Sequence, residues 1–118
     1  MRSAAPVGIV ETPEFLSATR KLLNEEERIV LVDYLARNPN AGELIPATGG
    51  VRKLRWALAG RGKRGGARVI YFYHNADLPL FLLTAFAKNV QEDISQAARN
   101  DFRRLTRILV ENYGRLKI

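Results

Sequence analysis

Between Val51 and Arg68 the chain carries seven basic side chains and no acid: Arg52, Lys53, Arg55, Arg61, Lys63, Arg64 and Arg68. Like charges at this density repel, so the run points to a polyanionic ligand more than to a stabilising role. A solvated, charged hairpin is the plainer alternative, since strand edges often carry Lys and Arg. On a strand, Lys53 and Arg55 share a face, and Arg68 opens the next strand, so a meander would set it beside them. The glycines around Arg61, Lys63 and Arg64 let backbone N–H groups approach phosphates closely, but the GK[ST] ending of a phosphate-binding loop is absent. Trp56, Tyr71, Phe72 and Tyr73 interleave with these cations. They fit either a stacking platform for single-stranded RNA or the ordinary core of a strand pair.

One reaction needs little beyond such a cluster. RNA cleaves itself when a 2′-oxygen attacks the adjacent phosphorus in line. A protein accelerates this by orienting the nucleotides, neutralising the phosphorane and protonating the leaving 5′-oxygen. Arg and Lys side chains converging on one phosphate supply the charge. Other chemistries lack their residues. There is no cysteine, which excludes thiolate ligands, a Cys nucleophile and disulfides, and a single histidine, His74. No His/Asp/Glu set has metal-ligand spacing, so neither a metal nor another cofactor is expected. The acids lie mostly in the N-terminal third and around Glu92 and Asp93, away from the basic run, which leaves paired-carboxylate hydrolysis without a site.

The elements that position these residues are readable in outline. Val7–Glu11 reads as a strand. Thr12 followed by Pro13 caps a helix expected to run to about Leu23, with Phe15, Leu16, Thr19, Leu22 and Leu23 on one face. Asn24 before three glutamates caps a second helix, supported by Ile29, Val32 and Leu35 and stopped at Asn38-Pro39. Residues 39–50 read as loop. Val51–Leu58, Ala67–His74 and Leu80–Lys88 have strand character, the last apolar enough to be covered on both faces. Ser95 caps a final helix with the stripe Ala98, Phe102, Leu105 and Leu109 and a basic band of Arg99, Arg103, Arg104 and Arg107. That band is either a second anion-binding surface or the solvated side of the helix, paired with Asp101 and Glu111. The expected order is β-α-α-β-β-β-α: an α+β domain with a small antiparallel sheet and helices packed on one of its faces.

The whole chain, 118 residues with 19 Lys+Arg against 12 Asp+Glu and a net charge of +7, fits a single domain over 1–118 with its core at about 7–112. The N-terminus lacks an apolar signal region, and the longest apolar run, Leu78–Ala87, is too short to span a membrane. A cytoplasmic protein without membrane attachment is expected.

Four segments carry a resemblance: Asn38-Pro39-Asn40-Ala41-Gly42-Glu43-Leu44-Ile45-Pro46, Thr48-Gly49-Gly50-Val51-Arg52-Lys53-Leu54-Arg55, Gly62-Lys63-Arg64-Gly65-Gly66-Ala67-Arg68-Val69-Ile70-Tyr71 and Phe86-Ala87-Lys88-Asn89. Together with the element order they resemble the HigB branch of the RelE toxin superfamily over nearly the whole chain. The resemblance implies the toxin of a type II toxin–antitoxin module, a ribosome-dependent, metal-independent endonuclease that cuts mRNA in the A site and halts translation. It implies a cognate helix-turn-helix antitoxin, contact with the ribosome through mRNA and rRNA, and operator DNA binding only indirectly, through the antitoxin complex. By the same resemblance Lys53 and Arg55 contact the RNA, Arg68 stabilises the transition state and Lys88 is a backbone contact. Arg52, Arg61, Lys63, Arg64 and Asn89 then serve RNA and ribosome binding. Two departures stand out: Asn89 follows Lys88 where RelE itself has a second arginine, and residues 91–99 contain no tyrosine. The general base is thus open, with His74, Glu92 and Tyr73 as candidates by chemistry. A basic RNA-binding domain that cuts nothing, or a cleft that receives an acidic protein segment, are the alternatives.

Overall fold

A computed structural model describes residues 5–58, 66–88 and 93–116, with side chains to 113. Strand β1 (Ile9–Glu11) leads into helix α1 (Pro13–Thr19), then α2 (Glu25–Arg37), β2 (Glu43–Leu44), β3 (Val51–Trp56), β4 (Ala67–Phe72), β5 (Leu80–Ala87) and α3 (Gln96–Leu116). The α+β class and the order of the expected elements hold, with β2 added inside the segment read as loop. A strand of two residues, both exposed, is too short to show alternation.

The helix starts follow from local chemistry. The Thr12 hydroxyl accepts from the Phe15 N–H at 3.2 Å and donates to the Leu82 carbonyl at 2.7 Å, so one side chain caps α1 and ties it to β5. Asn24 and Glu27 exchange hydrogen bonds at 2.8 and 2.9 Å, a capping box that opens α2. Helix α1 stops at Thr19, four residues short of expectation. The N–H groups of Leu22 and Leu23 both turn back onto the Thr19 carbonyl, which reverses the chain in time for the Asn24 cap. On α2 the inward seam is Leu31 and Leu35, one turn apart and fully buried, while Ile29 is exposed.

Five strands form one sheet in the order β1-β5-β4-β3-β2. Strand β1 runs parallel to β5 and every other pairing is antiparallel, so the sheet is mixed where an antiparallel one was expected. The expectation of helices on one face is also corrected. Leu31 and Leu35 of α2 and Phe15 of α1 pack with Leu54, Val69, Tyr71, Leu80 and Leu82. Ala98, Phe102 and Leu109 of α3 pack with Val51, Ile70, Phe72, Phe81 and Leu83. Val69 and Tyr71 alternate with Ile70 and Phe72 along β4, so the two clusters lie on opposite faces. The physical reason is that β4 is buried at all six positions and β5 at most of its length, and such strands need apolar cover on both sides.

Strand β5 also contains a bulge. Ile70 pairs with Thr84 and Tyr71 with Leu82, which leaves Leu83 without a partner in the register. Each later residue of β5 is thereby moved to the other face relative to a regular strand.

The loop before β3 is fastened twice. The Tyr71 hydroxyl accepts from the Gly42 N–H at 2.8 Å and donates to the Pro39 carbonyl at 2.9 Å. The Thr48 hydroxyl donates to the Ile45 carbonyl at 2.7 Å and accepts from the Val51 N–H at 3.1 Å. Gly49 and Gly50 take φ of 78° and 118°, and the Thr106 hydroxyl of α3 donates to the Thr48 carbonyl at 3.0 Å. Helix α3 is thus pinned to the turn that launches β3.

Candidate active site

Alternation along β3 sends Lys53 and Arg55 to the α3 face, as Val51 shows by packing in that core. Antiparallel pairing sets Arg68 directly across from Arg55, and Glu43 of β2 across from Lys53. Phe86 pairs with Arg68, and Lys88 lies two residues further along the same face, its N–H bonded to the Gly66 carbonyl at 3.1 Å. The parity change at Leu83 brings Lys88 to this side of the sheet. Glu43, Lys53, Arg55, Arg68 and Lys88 line a cleft of about 550 Å³ with Ala41 and Leu54. The four side chains that the sequence marked out, Lys53, Arg55, Arg68 and Lys88, therefore meet in one place.

The electrostatics are those of an anion site. Arg55 and Arg68 occupy directly opposed positions, an arrangement that costs free energy in an unliganded sheet. Arg68 is only 7% exposed, and its Nη1 reaches the Ala67 carbonyl at 3.3 Å. Among the described residues no ion pair involves Arg55, Arg68 or Lys88. The guanidinium of Arg68, buried without a carboxylate, is therefore set to gain strongly from a bound phosphate.

Two acids bear on the cleft: the sequence reading passed over Glu43, and it set Asp93 apart from the basic run, which the contact with Lys53 corrects. Glu43 is the one carboxylate among the cleft's described lining residues. Its signal was present in the sequence as the first acid before the basic strand, but only β2 places it opposite Lys53. Asp93 accepts from the Lys53 Nζ at 3.2 Å and lies 3.5 Å from an Arg99 Nη2. The hydrogen bond from the Ile94 N–H, and then Lys53 itself, holds the Asp93 carboxyl below the usual carboxylate range against a partly opposing burial.

Other expected site residues lie elsewhere. Arg52 points to the opposite face, where its Nη1 donates to the carbonyls of Gly42 at 2.7 Å and Asn40 at 3.3 Å; it braces the loop. Alternation itself separates it from Lys53. His74 stacks on Phe72 and lines a separate recess of about 330 Å³ with Arg103, Arg107 and Glu111. Tyr73 packs on the core under α1 and α2. Neither reaches the cleft as a general base. Tyr71 and Phe72 are fully buried, and Trp56 lies against Tyr34 of α2, so none of these three offers a stacking platform beside the cations. Of the band on α3, Arg104 pairs with Asp101 and Arg99 with Asp93, so half of it has carboxylate partners. Arg61, Lys63, Arg64, Asn89 and Glu92 lie outside the described residues.

Among the described residues no group of His, Asp or Glu is arranged to hold a metal ion, and no helix is long and apolar enough to cross a membrane. A family model described as the RelE toxin of the RelE/RelB toxin–antitoxin system matches residues 19–115, a span that contains the whole cleft. A mixed five-stranded sheet carrying helices on both faces, a cationic cleft on one of them and this match lead to one assignment: the chain belongs to the RelE toxin family.

Proposed function

We propose that this chain is a ribosome-dependent endoribonuclease of the HigB-like kind, which cuts translated mRNA by attack of a 2′-hydroxyl on the adjacent phosphate. The observation that carries the reading is the convergence of four cations and one carboxylate on a single cleft, with Arg55 opposed to Arg68. Glu43 takes the proton from the 2′-hydroxyl as the 2′-oxygen bonds to phosphorus. Arg55 and Arg68 hold the non-bridging oxygens as charge accumulates on the phosphorane. Lys53, held by Asp93, orients the phosphate. Lys88, which has no carboxylate partner among the described residues, gives a proton to the 5′-oxygen as its bond to phosphorus breaks. The products are a 2′,3′-cyclic phosphate and a 5′-hydroxyl. The family implies an antitoxin, which we take to be a helix-turn-helix protein that carries the complex to operator DNA, and the site of action is the cytoplasm.

Mapping RNA 5′ ends in a translation extract tests the reading. The wild-type protein should give cuts in frame within translated codons, only with ribosomes present. The Lys53→Ala, Arg68→Ala double variant should lose at least about a thousandfold in rate, and Glu43→Gln about a hundredfold. Intact message with ribosomes present overturns the reading. RNA that is bound with steep salt dependence and left uncut reduces the cleft to a binding site.

A further inference from the structure

Lys53 is the cleft cation with a carboxylate of its own, and that carboxylate belongs to a different part of the chain. Asp93 lies 40 residues away in sequence, just before α3. Its position is fixed from below and from the C-terminal side. Ile94 is sunk in the core under α3, and the Ile94 N–H donates to the Asp93 carboxylate at 2.8 Å. Ser95 then caps the helix, accepting from the Ala98 N–H at 3.1 Å. The second carboxylate oxygen faces Arg99, one turn into α3, at 3.5 Å. A lysine carries four rotatable bonds and by itself would sweep a wide arc over the cleft. Here its ammonium ends on an anchor set by the core.

We propose that Asp93 is a positioning residue for the reaction: bridged between Lys53 and Arg99, it fixes the Lys53 ammonium at the point where the substrate phosphate must lie. The inference rests on the endonuclease reading given above. Asp93 does not line the cleft, so it acts through Lys53. A phosphate that enters meets an ammonium already oriented, and less side-chain freedom is lost in reaching the transition state. Arg99 shares the carboxylate, so the start of α3 and the cleft are mechanically joined.

The test pairs a kinetic with a non-kinetic measurement. Asp93→Asn keeps an oxygen for the Ile94 N–H and removes the charge. Its single-turnover cleavage of ribosome-bound mRNA should fall about tenfold at saturating protein, while the half-saturating concentration moves less than about threefold. In a Lys53→Ala background the same change should have no further effect, and Asp93→Glu should recover part of the rate. Arg99→Gln should fall in the same direction by less. ¹⁵N relaxation of the Lys53 ammonium should report a looser side chain in Asp93→Asn than in wild type. Should Asp93→Asn fail to fold, Arg99→Gln and Asp93→Glu carry the same comparisons. Losses that multiply between positions 53 and 93, or an unchanged Lys53 mobility, overturn the proposal. So does a looser Lys53 with undiminished cleavage. If the wild type itself cuts nothing, the endonuclease reading falls, and the relaxation measurement still decides whether Asp93 fixes Lys53.

Discussion

Tyr71 contributes both to core and to site geometry. Its ring fills the core beneath α2 while its hydroxyl, holding Gly42 and Pro39, fixes the segment that carries Glu43. Burial, the largest influence, pushes its phenol above the ordinary value despite the Gly42 hydrogen bond. The folded chain therefore binds the phenolic proton more tightly than the unfolded chain does. Stability is unaffected well below the unfolded value of about 10 and is lost as pH rises from there through the folded value. Tyr71→Phe should lower stability by about 2 kcal/mol at neutral pH, since a buried N–H and a carbonyl lose their partner. The gap between the two proteins should narrow above about pH 10. Denaturant melts at pH 7 and pH 10.5 check both statements, and a gap that widens at high pH refutes the second. A lone tyrosine in a strand gives no hint of this role, because its hydroxyl partners lie 29 and 32 residues away.

Among elements, the legible and the hidden divide along the range of the forces that set them. The caps at Thr12 and Asn24 act within three residues, and the sequence names them outright. So does the alternation that sets Lys53 beside Arg55. The bulge at Leu83 is hidden, because a run as apolar as LFLLTAFA reads the same whichever face each residue takes. The choice of face by α3 is hidden too, since an amphipathic stripe declares that a helix packs but not on which side of a sheet. That choice is secured where Gly49 meets Thr106. A Cβ at Gly49 would run into the Thr106 hydroxyl, and its φ of 78° disfavours any side chain. Gly49→Ala should cost about 2–3 kcal/mol, combining a left-handed backbone with a lost buried hydrogen bond. The melting temperature should fall by roughly 10 °C. In a Thr106→Ala background the further loss should shrink to the backbone part, about 1 kcal/mol. Equal losses in both backgrounds would show that the contact with α3 is not what Gly49 protects.

For the molecule as a whole, the net charge of +7 resolves into distinct populations. Arg28 pairs with Glu11, Arg37 with Asp33 and Arg104 with Asp101, and these pairs leave the field of the cleft alone. In the cleft Arg55 and Arg68 stand opposed across the sheet, and like charges placed directly opposite destabilise a sheet that holds no anion between them. Replacing one of the opposed pair, Arg55→Gln, should therefore stabilise the protein by about 0.5 kcal/mol at low salt. That corresponds to a melting point higher by about 2 °C, a gain that should fade as salt is raised. Inorganic phosphate should raise the melting point of the wild type more than that of the variant. A variant less stable than wild type at low salt would mean that the opposed arginines do not repel in the folded sheet.

The face-to-face arginines also bear on how such a chain changes over generations. Any lineage selected for sturdiness alone, or released from selection on toxicity, gains by losing one of the pair first, the exposed Arg55 rather than the buried Arg68. On the endonuclease reading proposed above, inactivation is then a downhill path in stability, and a dead copy should be the hardier one. A repertoire of variants picked for heat resistance would be enriched in proteins that fold well and cut nothing.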